Sequence, residues 1–227
     1  MTVRVKVCCI ATEGEARLAV AYGASAIGLV SRMPSGPGPI PQDRIREIAR
    51  IVPPGVATFL LSCETTASAI AEQQRICRTN TLQLVDDEVS AATRQAISIE
   101  LPGIAVVQVI HVRGERCVDR ALQAAATCDA ILLDSGNPAA AVRELGGTGR
   151  AHDWAISRQI RDSVNRPVYL AGGLNSQNVG AAIAQVEPFG VDVCSGLRTD
   201  GRLDERKLDD FMKAVGRAPG SHRPSGR

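Results

Sequence analysis

Aromatic residues are scarce in this chain: one tryptophan, two tyrosines and three phenylalanines among 227 residues. A core with so few rings must be aliphatic, built from Ala, Val, Ile and Leu, as buried parallel strands prefer. Strong charge of either sign is also missing. The net charge of +2 is too small to argue for nucleic acid or a membrane surface, and no basic stripe is interleaved with rings. No run of about 18 apolar residues exists, so nothing reads as a membrane span. The chain opens directly into a strand pattern with no apolar leader. The three histidines lack ligand spacing, and no metal site is expected. The cysteines, Cys8, Cys9, Cys63, Cys77, Cys117, Cys128 and Cys194, are odd in number and form no CxxC pair. Reduced thiols in the cytoplasm fit that pattern best. No GxGxxG follows the first strand, which weakens a dinucleotide-binding reading, and no cofactor is expected.

A short apolar run followed by an amphipathic stretch recurs eight times. Strands are predicted at 3–10, 26–30, 56–61, 81–85, 104–111, 130–134, 168–171 and 191–194. Helices are predicted at 13–22, 42–52, 67–78, 89–99, 115–127, from near 154, at 176–184 and at 205–215. The pair Pro53-Pro54 stops the second helix, because proline has no N–H to donate. The strands are nearly continuous apolar runs, which indicates burial on both faces and hence a parallel sheet covered by helices. An α/β chain of this length, with eight such units, has no room for a second domain. The expected fold is a single (β/α)8 TIM barrel over residues 1–216, with an open doubly wound sheet as the alternative. Residues 217–227, rich in Gly, Pro, Ser and Arg, read as a disordered tail.

Active sites of such barrels sit at the C-terminal ends of the strands. Polar groups collect at those tips: Cys8-Cys9 on the first strand, Gln83 on the fourth, His111 on the fifth, Asp134 on the sixth and Asp192 on the eighth. The seventh strand runs into Gly172-Gly173, and the eighth into Ser195-Gly196. Glycines let a backbone approach a phosphate, and amides at a helix start point at it. The loops after strands seven and eight are the usual phosphate site of this fold. The glycine-rich loop at 146–149 has the composition of a flexible lid. Each glycine pair also reads as a plain tight turn, and His111 as a satisfied core histidine.

Together these motifs resemble the phosphoribosylanthranilate isomerase family. Lys6-Val7-Cys8 is similar to its opening Lys-Ile-Cys, and Gln83-Leu84 with Glu88 to part of its strand-four motif. Leu132-Leu133-Asp134-Ser135 matches the end of its sixth strand, and Gly146-Gly147-Thr148-Gly149 with Asp153-Trp154 the loop that follows. Leu170-Ala171-Gly172-Gly173-Leu174-Asn175 with Asn178-Val179, and Gly190-Val191-Asp192-Val193 with Ser195-Gly196, match the last two units. The resemblance spans residues 3 to about 215 and is more specific in the second half.

The family performs an Amadori rearrangement that opens an aminoribose phosphate into a 1-amino-2-ketose phosphate. The resemblance implies Asp134 as the general acid on the furanose ring oxygen and Cys8 as the general base at C2. It implies Gln83, His111, Gly147, Asp192 and Arg32 as substrate-binding residues, and Gly172, Gly173, Ser195 and Gly196 as the phosphate site. Three departures stand out. Cys9 replaces the glycine that usually follows the cysteine. The loop after the second strand lacks the family's Ser-Pro-Arg and reads Pro34-Ser35-Gly36-Pro37-Gly38-Pro39. Val85-Asp86 replaces His-Gly after the fourth strand. The loop changes fall where the aromatic half of the substrate would lie, so Arg32 or His111 is expected to compensate there. The implied partner is a small-molecule phosphosugar, for a monomer or homodimer that binds neither nucleic acid nor membrane. Two other readings stay open: a barrel relative acting on another phosphorylated sugar, and a catalytically silent barrel that binds a phosphometabolite.

Overall fold

Eight short strands close on themselves. The computed structural model describes residues 3–86, 89–136 and 152–218. In chain order the strands are β1 (Arg4–Val7), β2 (Ala26–Val30), β3 (Ala57–Ser62), β4 (Thr81–Leu84), β5 (Ala105–His111), β6 (Ala130–Asp134), β7 (Val168–Leu170) and β8 (Gly190–Val193). Each pairs in parallel with its neighbours in sequence, and β1 pairs with β8, with Lys6 opposite Asp192. The sheet is therefore a closed barrel without an edge.

Between the strands run α1 (Glu13–Ala21), α2 (Gln42–Ile51), α3 (Ala67–Cys77), α4 (Ala91–Glu100), α5 (Arg116–Ala125), α6 (Trp154–Ser163) and α7 (Val179–Val186), with α8 (Glu205–Arg217) last. Their starts follow local chemistry. Thr12, Thr66, Ser90, Asp153 and Asp204 each turn a side-chain oxygen onto a first-turn amide. The core divides in two. Ile27, Leu29, Leu60, Leu82, Leu84 and their like point outward and pack under the helices, fully buried. Phe59, Leu61, Val107, Val109, Leu132 and Tyr169 fill the interior. Burying such a side chain contributes roughly 1.5–3 kcal/mol.

Three of the six aromatics gather at one place. Phe59 and Tyr169 meet edge-on with centroids 5.9 Å apart, and Tyr169 meets Phe189 at 5.4 Å. Gly190 makes room for them, since a Cβ there would come within 2.7 Å of the Tyr169 ring.

Element boundaries differ from expectation most where local backbone chemistry intervenes. β1 ends at Val7 because Cys9 has φ 61, a left-handed conformation that no strand continues. α7 starts at Val179, because Asn175 and Asn178 form a turn of their own ahead of it: Asn175 Oδ1 accepts from the amide of Gln177, and Asn178 Oδ1 from that of Asn175. After β8 comes a 3-10 turn (Ser195–Leu197) and an unforeseen hairpin, β9 (Arg198–Thr199) and β10 (Arg202–Leu203). Asp200-Gly201 makes its tight turn, both residues having positive φ. α8 carries the chain past the boundary expected at 216, and Ala218 is buried. The rest of the expected tail lies outside the described residues, as does the loop containing Gly147. Among the described residues no helix is long and apolar enough to cross a membrane.

Candidate active site

The interior residues change character along the barrel axis. The aromatic base comes first, then a charged layer. Lys6, fully buried, donates from Nζ to Asp192 Oδ1 at 2.9 Å, and its ammonium lies 5.3 Å from the centre of the Phe59 ring. Burial alone would lower the Lys6 pKa, but the Asp192 carboxylate and the Cys8 sulfur outweigh it and raise it. These neighbours favour the charged form of Lys6. Gly28 opens the space it needs: a Cβ there would meet Cys8 Sγ at 2.7 Å and Lys6 Nζ at 3.0 Å. Cys8 and the ammonium are therefore neighbours beneath the mouth, and a charged sulfur at Cys8 has its counter-ion in place.

Above this layer a cavity opens. Cys8, Gln83, Asp134 and Asp192 line it together with Gly172, Gly173 and Ser195. The turns after β7 and β8 and the end of the first strand are brought to one mouth, although Cys8 and Asp134 come from β1 and β6. Asp134 Oδ1 accepts from the amide of Ser135 at 2.7 Å. Burial raises the Asp134 pKa, partly opposed by that amide and by the nearby His111. Gln83 is buried, and its Oε1 has no partner among the described residues. An acceptor so placed is costly until a ligand donor reaches it.

The rim after β7 and β8 is backbone. Gly172 and Gly173 both have positive φ, at 86° and 63°. Asn178 Nδ2 holds the Gly173 carbonyl at 2.9 Å, which fixes the turn. Among the described residues, the amides of Gly172 and Gly173 meet no backbone acceptor, and Ser195 and Gly196 open a 3-10 turn. Gly196 does something besides. A Cβ there would lie 2.0 Å from the carbonyl oxygen of Leu174, so the two loops pack backbone on backbone at that residue.

Two expected substrate contacts lie elsewhere. Arg32 is exposed and is not among the described residues that line the cavity; its carbonyl accepts from Cys63 Sγ. His111 is fully buried, with Nε2 3.1 Å from the Val85 carbonyl, and it too is absent from the lining. Among the described residues, no group of three or more His, Cys, Asp or Glu is arranged to hold a metal ion.

Arg198 was not anticipated. It reaches from β9 across the mouth and donates to the carbonyls of Cys8, at 3.1 Å, and of Cys9. Its other nitrogen pairs with Glu15 Oε1 at 3.1 Å, and Glu15 also takes the amides of Ala11 and Leu203. The turn that presents Cys8 is thereby tied to the hairpin after β8. The Asp200-Gly201 dipeptide was the available signal for that hairpin; nothing local marked its arginine. Cys9, with φ 61, occupies a conformation that favours glycine. It sits under the second loop, where a Cβ on Gly38 would lie 2.7 Å from its own Cβ. The cysteine at this position and the altered loop thus meet in space.

A family model described as N-(5'phosphoribosyl)anthranilate (PRA) isomerase matches residues 6–214. An N-(5'-phosphoribosyl)anthranilate isomerase of Methanocella arvoryzae is 35% identical over 213 residues, covering 93% of this chain and 97% of that protein. The crystal structure of phosphoribosyl anthranilate isomerase from Thermotoga maritima superposes with a TM-score of 0.79 at 31% identity, over 94% of this chain and 98% of that one. Another such isomerase, solved in complex with reduced 1-(o-carboxyphenylamino)-1-deoxyribulose 5-phosphate, gives 0.77 at 29% identity, with the same coverage. By its match along nearly its whole length, this chain belongs to the N-(5'-phosphoribosyl)anthranilate isomerase family.

Proposed function

We propose that this chain isomerises N-(5'-phosphoribosyl)anthranilate to the 1-amino-1-deoxyribulose 5-phosphate product, with Asp134 as acid and Cys8 as base. The observation that carries this reading is the meeting of both groups at one cavity whose rim offers the amides of Gly172 and Gly173, which meet no backbone acceptor among the described residues. Asp134, whose pKa burial raises, donates its proton to the furanose ring oxygen. The C1–O bond breaks, the ring oxygen becomes the C4 hydroxyl, and the nitrogen lone pair makes a C1=N Schiff base. Cys8, as a thiolate beside Lys6, then takes the proton from C2. The resulting enolamine tautomerises, leaving an amine at C1 and a ketone at C2. The carbon at C1 is reduced and that at C2 oxidised, so the reaction is an aldose–ketose type of intramolecular oxidoreduction that calls on no external redox partner.

Gly172, Gly173, Ser195 and Gly196 supply amides for the phosphate, and Gln83 and Asp192 face the sugar. Every residue so assigned belongs to one chain, which suits a monomer or a homodimer equally. The seven thiols, all free, support a reducing compartment, which we take to be the cytoplasm.

The test is loss of phosphoribosylanthranilate fluorescence on adding purified protein. Turnover that is abolished by Asp134→Asn supports the reading, and absence of turnover by the parent protein overturns it. Gly173→Val should raise KM at least about tenfold, through a side chain in the path of the phosphate and a β-branched residue at positive φ; an unchanged KM places the phosphate elsewhere. One observation favours a second reading, a different aglycone on the same phosphosugar: among the described residues no arginine lines the cavity. Comparing kcat/KM for amines with and without the ortho carboxylate separates the two.

A further inference from the structure

Cys9 and Cys194 stand 185 residues apart in sequence, and their sulfurs are in contact at 2.6 Å. Cys9 is buried, whereas Cys194 is partly exposed and both line the cavity. We propose that these two residues form an oxidisable dithiol at the rim, which closes to a disulfide joining the turn after β1 to the turn after β8.

The surroundings give the two sulfurs different tasks. The hydrogen bond with Cys9 lowers the Cys194 pKa; burial opposes this, and the Arg198 guanidinium adds to the lowering. Cys9 is pushed the other way, by its hydrogen bonds with Cys194 and Cys8 and by burial. Cys194, partly exposed and reached through the cavity, is the attacking sulfur, and buried Cys9 the resolving thiol beside it. The co-reactant is a low-molecular-weight disulfide. The Cys194 thiolate attacks one of its sulfurs, forms a mixed disulfide and releases one thiolate. Cys9 then loses its proton to that thiolate, attacks Cys194 Sγ and releases the second. Two protein thiols are oxidised to one disulfide, and one small disulfide is reduced to two thiols.

Closure acts on the site because Cys9 follows Cys8 directly and Cys194 precedes Ser195. A covalent bond draws the sulfurs closer than their present contact, pulling the turn that presents Cys8 towards the phosphate rim. A misplacement of about 1 Å at a reacting group is enough to cost up to ~10²-fold. The cross-link itself rests on the thiol geometry; its effect on turnover rests on the isomerase reading.

The reduced full-length protein is incubated with oxidised glutathione, remaining thiols are alkylated, and the digest is mapped without reduction. The expected result is a Cys9–Cys194 peptide, with two fewer of the seven thiols alkylated. Turnover should fall by about tenfold or more and return with dithiothreitol. Cys194→Ser, compared with its own untreated form, should show no such fall. A cross-link between other cysteines, or none, overturns the proposal. A Cys9–Cys194 bond that leaves turnover unchanged, or a loss that persists in Cys194→Ser, overturns the effect of closure on the site. The peptide map reads out even if the reduced protein lacks isomerase activity, so the two readings fail separately.

Discussion

Asp134 has a raised pKa chiefly because it is buried, and that has opposite consequences for turnover and for stability. A carboxyl with a folded pKa above its unfolded value binds more protons when folded, so stability falls as pH rises through the window above the ordinary carboxylate value. Asparagine cannot charge. Asp134→Asn should therefore melt higher than the parent at pH 7, with the gap narrowing towards pH 4, while turnover drops by ~10²-fold or more and binding is largely kept. Thermal melts at the two pH values and steady-state kinetics check both halves. Cys8→Ser should cut turnover by a similar factor, since a hydroxyl is a far weaker base than a thiolate beside Lys6. If Cys8 acts at C2, substrate deuterated there should show a primary isotope effect in the parent protein.

At the scale of elements, β1 and β8 are held by a buried ion pair and by a clamp between their loops. Removing one partner of a buried pair leaves an uncompensated charge and costs about 3–5 kcal/mol. Asp192→Ala should destabilise by that amount and lower the melting temperature by roughly 10 °C, because Lys6 has no exposure through which to regain water. Adding Lys6→Met to that variant should recover most of the loss, which a urea titration would show. Glu15 takes two loop amides as well as Arg198, whose side chain is 8% exposed. Glu15→Ala should likewise cost about 3 kcal/mol or more, and because the clamp holds the Cys8 turn, kcat should fall along with stability. Most of this level was legible only in outline. The eight strands and helices could be read from period and burial, but the end of β1 turned on the positive φ of Cys9, and the start of α7 on Asn175 and Asn178 bonding to their own neighbours.

For the molecule as a whole, acid sensitivity can be assigned to one group outside the site. His152 is half-buried against Ser157, with Nε2 2.7 Å from its hydroxyl, and loss of solvent lowers its pKa to about 4. The unfolded chain then binds more protons between about pH 6.5 and 4, so stability falls as pH drops through that range. His152→Gln should flatten this part of the stability profile, measured by denaturant titration at several pH values. An unchanged slope would assign the acid loss to other groups.

The sequence by itself determined the fold class and the polar strand ends that line one cavity. Apolar runs spaced by amphipathic helices can satisfy their burial only as a helix-covered parallel sheet, and that is a local property. Cys8, Asp134, Gly173 and Ser195 were readable for the same reason: each sits where an apolar run stops, whereas Gln83 is a polar residue within one. Which residues meet across the closed barrel was decided by tertiary structure alone. Lys6 meets Asp192 across 186 positions and Cys9 meets Cys194 across 185, because closure sets β1 beside β8. The same packing turns Arg32 outward, seals His111 behind Val85 and lays Arg198 over the Cys8 turn. Contacts of that kind depend on how loops of fixed length pack over a closed sheet, and no pattern along the chain encodes them.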